Sequence, residues 1–495
     1  MSRQTPIAVP SILLAATMTL AAGCAVGPDY RAPAAPEVVR FTATVLPDST
    51  SGGELEGDRA QGFVDAAAAP VKWWKVFGST ELDAMVERAL QQNPTIASTQ
   101  AALRQAQEIA AAQRGTFLPA FQASYSPTRG RVADATSSPL SSGASLYTLH
   151  TTQVVVSYLF DAFGGNRRSV ESLEAQSESQ AWQLRAARLT LAANVVNAAL
   201  QEASLREQWT ATQRLIGIAE RQLKLLQAQR RLGAASGAAV LAQETILRQT
   251  EASAAALAKQ IAQQRDLLAA LVGTWPTEFH PPVFQLSALR LPDVPTGLPG
   301  RLVEQRPDIR AAEALLRSAN AAVGVTVANM LPQVTLTANY GTSAETLGQL
   351  FRASGLLWSV GANLMQPVFQ GGALLHRKRA AEAQLEQTLA QYRSTVLNAF
   401  QNVSDVLEAV RNDADQHVAA SRQASLAQAS LWIAQRQLEL GDISTLLLLN
   451  AESAYLQAAI ARTQAQTNRF TDVAAVYQSL GGSWNEDLSS LTDAK

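Results

Sequence analysis

Two different periods of apolar residues run along the chain, and they predict two kinds of element. In residues 333–340, Val334, Leu336, Ala338 and Tyr340 alternate with polar neighbours. This period of two predicts a strand with one apolar and one polar face. Similar segments recur, and the four predicted strands cover about residues 118–128, 147–161, 331–342 and 356–369. The segments between paired strands, 127–146 and 341–355, are polar or rich in Pro, Ser and Gly and predict long loops.

Very long stretches without helix breakers follow each strand pair. Residues 373–440 contain neither glycine nor proline, and residues 166–232 contain only Gly217. At about 1.5 Å rise per residue, each stretch predicts a helix roughly 100 Å long. Apolar residues recur in steps of four and three, which is a heptad seam. Tip glycines at 233 and 441 predict turns into second helices, at 238–272 and 442–480.

The same order of elements occurs twice. Pro94 and Pro307 are separated by 213 residues, as are Pro119 and Pro332, and the tip glycines are separated by 208. A collinear series of matches of this kind predicts a tandem repeat. We place the repeats at 79–275 and 298–482, with a linker at 276–297 and a C-terminal tail at 483–495.

The N-terminus has the pattern of a targeting segment. Arg3 precedes the apolar stretch 12–20, and the small residues of 21–23 lead directly to Cys24, the only cysteine. This arrangement resembles a bacterial lipoprotein cleavage site, although Ala21 stands where that motif prefers leucine. We therefore predict a signal peptide at 1–23 and a covalent lipid on Cys24. An ordinary signal peptide with a chance cysteine is the alternative. Ala25 is not the aspartate that retains such lipoproteins at the inner membrane, which favours the outer membrane.

Composition argues against several classes of function. The 40 basic and 41 acidic residues give a net charge of -1, so nucleic acid is not an expected partner. The four histidines lack metal-ligand spacing, and no histidine lies near a candidate nucleophile. We predict no catalytic residues, no metal and no cofactor other than the lipid.

The strands predict an oligomer if they cross a membrane. No segment beyond the N-terminus is apolar enough for a spanning helix, so the membrane part must be strands. Four strands cannot close a barrel, since the smallest have about eight. Two copies would give eight strands around a filled interior, and three would give twelve with room for a channel. A soluble sheet attached to a coiled-coil rod remains the alternative.

Four segments of the chain form recognisable motifs: CAVGPDY at 24–30, WWKVF at 73–77, LVEQRPDI at 302–309 and PVFQGG at 367–372. In these segments the sequence resembles the TolC-like outer-membrane factors, in particular their lipoprotein branch, the NodT family of efflux channels. The resemblance implies an α+β membrane protein: a trimeric twelve-stranded β-barrel with four strands per chain, continued by a periplasmic α-helical barrel. An equatorial domain includes part of the lipidated segment 24–78. Implied partners are two further copies, a periplasmic adaptor and an inner-membrane transporter of the RND type.

The resemblance also indicates where a periplasmic gate would lie. Family members often carry aspartates just after the tip glycine, at the positions of Leu447 and Asn450. The corresponding positions of the first repeat are Ala239 and Ala242. This chain therefore predicts an apolar and neutral gate, although Asp442 could supply a negative ring and Leu447 could be a plain packing residue. The implied adaptor contacts are Gly233, Ser236, Gly441 and Ser444.

The predicted function is a passive outer-membrane exit duct for small molecules such as drugs or other toxic compounds, in a tripartite efflux system. Two alternatives stay open. One is the duct of a type I protein secretion system, and the other is a periplasmic coiled-coil lipoprotein without a pore.

Overall fold

A computed structural model describes residues 25–34, 36, 38, 40–53, 59–64, 70–133, 144–296 and 305–482. The helices are α1 (Thr80–Gln92), α2 (Pro94–Arg114), α3 (Gly165–Arg231), α4 (Gly237–Val272), α5 (Pro307–Ala328), α6 (Ala373–Glu439) and α7 (Thr445–Ser479). The strands are β1 (Phe63–Val64), β2 (Ala120–Arg131), β3 (Leu146–Phe160), β4 (Val294–Pro295), β5 (Gln333–Ala344) and β6 (Leu356–Met365). None of the described helices is a candidate for crossing a membrane.

Contacts divide the chain into two compact units. The first comprises Met1–Pro33, Leu103–Gln180 and Ala312–Tyr392, and it contains the four-stranded sheet. The second comprises Ala34–Ala102, Ala181–Ala311 and Arg393–Lys495.

The long helices occur where the sequence predicts them. Helices α3 and α6 each have 67 residues and begin 208 residues apart, at Gly165 and Ala373. The return helix α4 begins at Gly237, one residue before its expected start. The expectation that α7 begins at residue 442 is wrong, because the turn continues to Ser444 and the helix begins at Thr445.

The four strands form one antiparallel sheet in the order β2-β3-β5-β6. Strands β2 and β5 run further than predicted, to Arg131 and Ala344, so the loops between paired strands are shorter than expected. Strand β2 continues through Pro127, which pairs in register with His150 of β3. The proline has no N–H to donate, so the strand tolerates the absence of one ladder hydrogen bond at this position. Strand β6 ends at Met365 rather than 369, since Pro367 has no backbone donor.

An aromatic cluster anchors the second unit. The WWKVF motif forms a short 3-10 helix, in which Trp73 and Phe77 are fully buried. Trp73 stacks on Tyr477 of α7 with 5.5 Å between ring centroids, and Phe77 meets Phe470 edge-on at 6.0 Å. Aromatic pairs in these geometries add to the stabilisation that burial gives, so the motif holds α7 in place.

Each return helix ends against the start of a shorter helix, and the same device occurs in both halves. Asn93 Nδ2 donates to the Leu271 carbonyl near the end of α4, at 2.8 Å. At the matching position, Arg306 Nη1 donates to the Ser479 carbonyl at the end of α7, at 2.7 Å. The carbonyls at a helix end lack intrahelical partners, so these side chains satisfy them. This explains why the prolines are preceded by Asn93 and Arg306.

Candidate functional site

The sheet has one apolar and one polar face, as its sequence pattern predicts. The strand register aligns Phe121, Val156, Ala338 and Val360 in one row across all four strands. Directly paired residues lie on the same face of a sheet, so the apolar positions of the strands combine into one surface. The exposed fractions are high: 72% for Phe121, 75% for Val360 and 69% for Trp358.

The opposite face carries polar groups. A neighbouring row aligns Gln122, Val155, Asn339 and Ser359, and Ser359 Oγ donates to Asn339 Oδ1 at 2.9 Å. Among the residues that the structure describes, strands β2 and β6 each have a neighbouring strand on one side only. The sheet therefore has two open edges and one large exposed apolar face, and both features call for a partner surface.

The two helical hairpins turn in the same way. Gly233 and Gly441 have φ angles of 72° and 79°, a left-handed conformation that favours glycine. Three residues further on, Ser236 Oγ accepts the Ala239 N–H at 3.1 Å and Ser444 Oγ accepts the Leu447 N–H at 3.4 Å. These serines therefore cap α4 and α7. All four of the glycines and serines assigned to adaptor contact lie in these tips.

The gate candidates differ in their surroundings. Leu447 is 54% exposed and lines an apolar groove of the second hairpin together with Leu426, Ile433 and Ile443. Asp442 is exposed in the turn, and its backbone N–H donates to the Gln437 carbonyl. In the first hairpin, Ala242 is exposed and Ala239 is half-buried at the helix start.

Asn450 belongs to a hydrogen-bonded chain that crosses three helices. Gln222 Nε2 of α3 donates to Asn450 Oδ1 of α7 at 3.1 Å, and Gln243 Nε2 of α4 donates to Gln222 Oε1 at 2.9 Å. Both glutamines are at least nine-tenths buried. Beside this chain, Leu449 and Leu456 of α7 pack on Ile218 of α3. Sequence analysis missed the two glutamines, because buried glutamine has no spacing that distinguishes it from the many exposed ones.

A pair of carboxyl groups joins α6 to α7. Asp472 shares a hydrogen bond with Asp413, and one of its oxygens is buried without a hydrogen-bond donor. Burial and then the neighbouring Asp413 carboxylate raise the pKa of Asp472 to about 7. This residue was also missed, although its position three residues after the buried Arg469 and four before the buried Val476 indicates an inward-facing carboxyl group.

Cys24 lies outside the described residues, but the segment directly after it is well anchored in the first unit. The Val26 N–H donates to the Phe163 carbonyl at 3.1 Å, and Arg168 pairs with Asp29 at 2.8 Å. Gly27 packs so closely on Gly324 that an added Cβ would lie 2.4 Å from the Gly324 Cα. Burial and then Glu313 raise the pKa of Tyr30 to about 12. The described residues contain no cluster of three or more metal-ligating side chains.

Comparison with known proteins gives a consistent match. The family model for the outer membrane efflux protein matches residues 85–274 and again 298–482. The antibiotic efflux pump outer membrane protein ArpC of Pseudomonas putida is 29% identical, over 96% of this chain and 95% of its own. Outer membrane protein OprJ of Pseudomonas aeruginosa is 28% identical, over 98% of both chains. The solved outer-membrane channel OprN has a TM-score of 0.79 and 26% identity, covering 94% of this chain and all of its own.

Proposed function

The chain belongs to the outer membrane efflux protein family, and we propose that three copies form the outer-membrane duct of a tripartite efflux pump. In this duct the twelve strands close one barrel, and the helical hairpins line a passage through the periplasm. The two halves of the chain are tandem repeats of one unit. A periplasmic adaptor and an inner-membrane transporter of the RND type complete the pump, and the duct itself is passive.

The observation that carries this proposal is the four-stranded sheet with two open edges and two contrasting faces. Strands exposed to lipid must satisfy every backbone group, which requires a closed barrel. Pairing of β6 of one copy with β2 of the next removes both edges in every copy, and cyclic symmetry closes the ring. The row through Val360 then faces lipid, and the row through Ser359 faces a water-filled lumen.

Two neighbouring residues of β6 provide a matched test. An arginine on the lipid face of such a barrel costs about 2–4 kcal/mol at the bilayer midplane, and one in the lumen costs little. We expect Val360→Arg to abolish assembly in the outer membrane, as measured by heat-modifiable oligomer on gels of membrane fractions. Ser359→Arg should assemble normally and shift the ion selectivity of channels in planar bilayers. Equal behaviour of the two variants would rule out the assignment of the faces.

A lipid on Cys24 would anchor the duct beside its strands. Support comes from the anchored segment 26–30, which holds the residues after Cys24 against the start of α3 and against α5. Labelling cells with a palmitate analogue should mark the wild-type protein and not Cys24→Ser. Equal labelling of both would contradict lipidation at this residue.

The second tip would form a gate without carboxylates at positions 447 and 450. Leu447 is exposed and apolar, and Asn450 is neutral, so the constriction would close by packing and dewetting. We expect trivalent cations added at the periplasmic side to block single channels weakly, and Leu447→Asp to increase the block. Potent block of the wild-type channel would contradict a neutral gate. It would favour the alternative that Asp442 supplies a negative ring.

The exposed tips with Gly233 and Gly441 are the proposed contacts for the adaptor. Their support is the exposure of both turns and the equal cap geometry that presents them. Cross-linking from Ser236→Cys and Ser444→Cys in cells should capture the adaptor. Capture from a mid-helix cysteine at Ser253, and not from the tips, would contradict this assignment.

A further inference from the structure

The charged side chains that line a large cavity in the second unit are mostly basic. Its volume is about 1230 Å³. Five of its charged or titratable lining groups are basic and one is acidic: Arg59, Arg290, His417, Arg462, Arg469 and Glu207. The single carboxylate already accepts a hydrogen bond, from the Leu286 backbone N–H at 3.3 Å. The cavity wall therefore contains four guanidinium groups and one carboxylate, which already accepts a backbone hydrogen bond.

The guanidinium groups come from different parts of the unit. Helix α7 contributes Arg462 and Arg469, and the non-helical segments contribute Arg59 and Arg290. Arg469 is 2% exposed and donates to the Arg59 carbonyl at 3.0 Å and to Gln61 Oε1 at 3.2 Å. These bonds fix its guanidinium at the cavity wall and tie it to the segment that carries Arg59.

Two of the arginines are available to a ligand. Arg59 and Arg290 are exposed, and neither forms an ion pair within the part of the chain that the structure describes. Neutral donors add to the wall, among them Gln428 and Tyr455. Guanidinium groups bind carboxylates and phosphates through paired, charge-assisted hydrogen bonds. Several of them around one cavity match a ligand with several negative groups.

We propose that this cavity binds a small organic anion that carries two or more carboxylate or phosphate groups. The anion would bridge the non-helical segments to the α6–α7 pair and so stiffen the second hairpin. This role is separate from transport through a lumen, and it holds or fails independently of the duct.

Titration calorimetry on the full-length protein in detergent tests the site. Citrate is the carboxylate probe and pyrophosphate the phosphate probe, and the tighter binder identifies the ligand class. We expect saturable binding at one site per chain. The variant Arg59→Gln/Arg290→Gln should lose about tenfold in affinity for each charge-assisted contact that is removed. Both arginines are exposed, so this variant should keep the wild-type melting temperature.

The control removes the same charge elsewhere. Arg248→Gln/Arg436→Gln alters two exposed arginines of the hairpins, which pair with Glu251 at 3.0 Å and Glu439 at 2.7 Å. This control should bind both probes like the wild type. The proposal is overturned if neither probe binds saturably, or if the control loses as much affinity as the cavity variant. It is also overturned if the probes bind only to the variant Glu54→Gln/Glu56→Gln/Asp58→Asn. That result would mean that the acidic run before Arg59 occupies the cavity in the wild type.

Discussion

The two helical hairpins have the same dimensions but are held together by different chemistry. In the first, the buried Glu202 carboxylate accepts two hydrogen-bonded contacts from Arg265 at 2.9 Å. At the positions 208 residues later, the second hairpin has Val410 and Val473, both 2% exposed. Three residues after Val410, α6 carries Asp413, which forms the carboxyl pair with Asp472 of α7.

The positions that match this carboxyl pair in the first hairpin are Leu205 and Gln264. Each hairpin thus has an ionisable pair at a level where the other has apolar or neutral side chains, and the two pairs differ in charge. The comparison teaches that equal helix lengths and equal tips do not require equal contacts. The first hairpin depends on a fixed ion pair, and the second on a group that titrates near neutrality.

The ion pair of the first hairpin gives the largest expected effect. Arg265→Val leaves Glu202 buried with only Arg206, 3.5 Å away, as an ionic partner. We expect a loss of about 3 kcal/mol, because the buried carboxylate loses its hydrogen-bonded partner and keeps one longer ionic contact. The double variant Glu202→Val/Arg265→Val copies the second hairpin and should recover most of the melting temperature. A single variant as stable as the double would show that the pair does not hold the hairpin.

The glutamine chain gives the next largest effect. Gln222→Leu removes the shorter of two hydrogen bonds that the buried Gln243 amide donates, and leaves the Ala219 carbonyl at 3.4 Å as its acceptor. This loss should cost about 1–2 kcal/mol. Asn450→Ala removes only the exposed end of the hydrogen-bonded series. Thermal unfolding should therefore show a smaller loss of stability than for Gln222→Leu. Adding an amide to the first hairpin at the matching position, with Ala242→Asn, should change little. A larger loss for Asn450→Ala than for Gln222→Leu would contradict this order.

The carboxyl pair predicts that the stability of the second hairpin depends on pH. The pKa of Asp472 rises from 3.8 to about 7, so its protonated form stabilises the fold. That stabilisation is complete below the ordinary pKa and is lost as the pH rises through about 7. Between pH 5 and 8 we expect a loss of about 1–2 kcal/mol, discounted for the partial exposure of this group.

Asp472→Asn should flatten this pH profile, since an amide stays neutral. Gln264→Glu, at the matching position of the first hairpin, is the control and should leave the profile of Asp472 in place. Melting curves from pH 5 to 8 provide the measurement. A wild-type protein that becomes more stable above pH 7 would contradict the assignment.

The glycines give the smallest effects, with opposite signs. Gly233 and Gly441 have positive φ angles and an alanine at either should cost about 1 kcal/mol. Gly217 lies inside α3 with nothing near an added Cβ, so Gly217→Ala should stabilise by up to about 1 kcal/mol. Thermal unfolding should show similar losses for the two tip variants. Unequal losses would mean that the two turns are not equivalent.

Much of the fold follows from the sequence, for physical reasons. Helices α3 and α6 were predictable because neither contains proline and Gly217 is the single glycine in the interior of either. The apolar face of the sheet follows from the period of two. The end of β2 was not predictable, because Pro127 lacks an N–H and usually ends a strand, whereas the ladder with β3 continues to Arg131. The start of α7 depends on whether Ser444 or an earlier residue caps it.

The candidate site was less predictable than the fold. The tip glycines could be located from their place between breaker-free stretches. The partners of Asn450 and Asp472 lie on other helices, and a single sequence does not indicate which helices meet. The resemblance to the family supplied the positions at which to look for a gate, but not the Gln222–Gln243 chain that holds one of them.

Pairing of β6 with β2 of another copy is the central claim, and disulfide cross-linking tests it most directly. In a Cys24→Ser background that is still exported, Ser124→Cys in β2 is combined with a cysteine at each of residues 358–363 in β6. Paired residues share a face, so we predict a ladder ending at a covalent trimer for Ser359 and Gly361, and little product for Trp358 and Val360. Monomers at every position, or cross-links that favour the apolar face, would contradict a trimeric barrel.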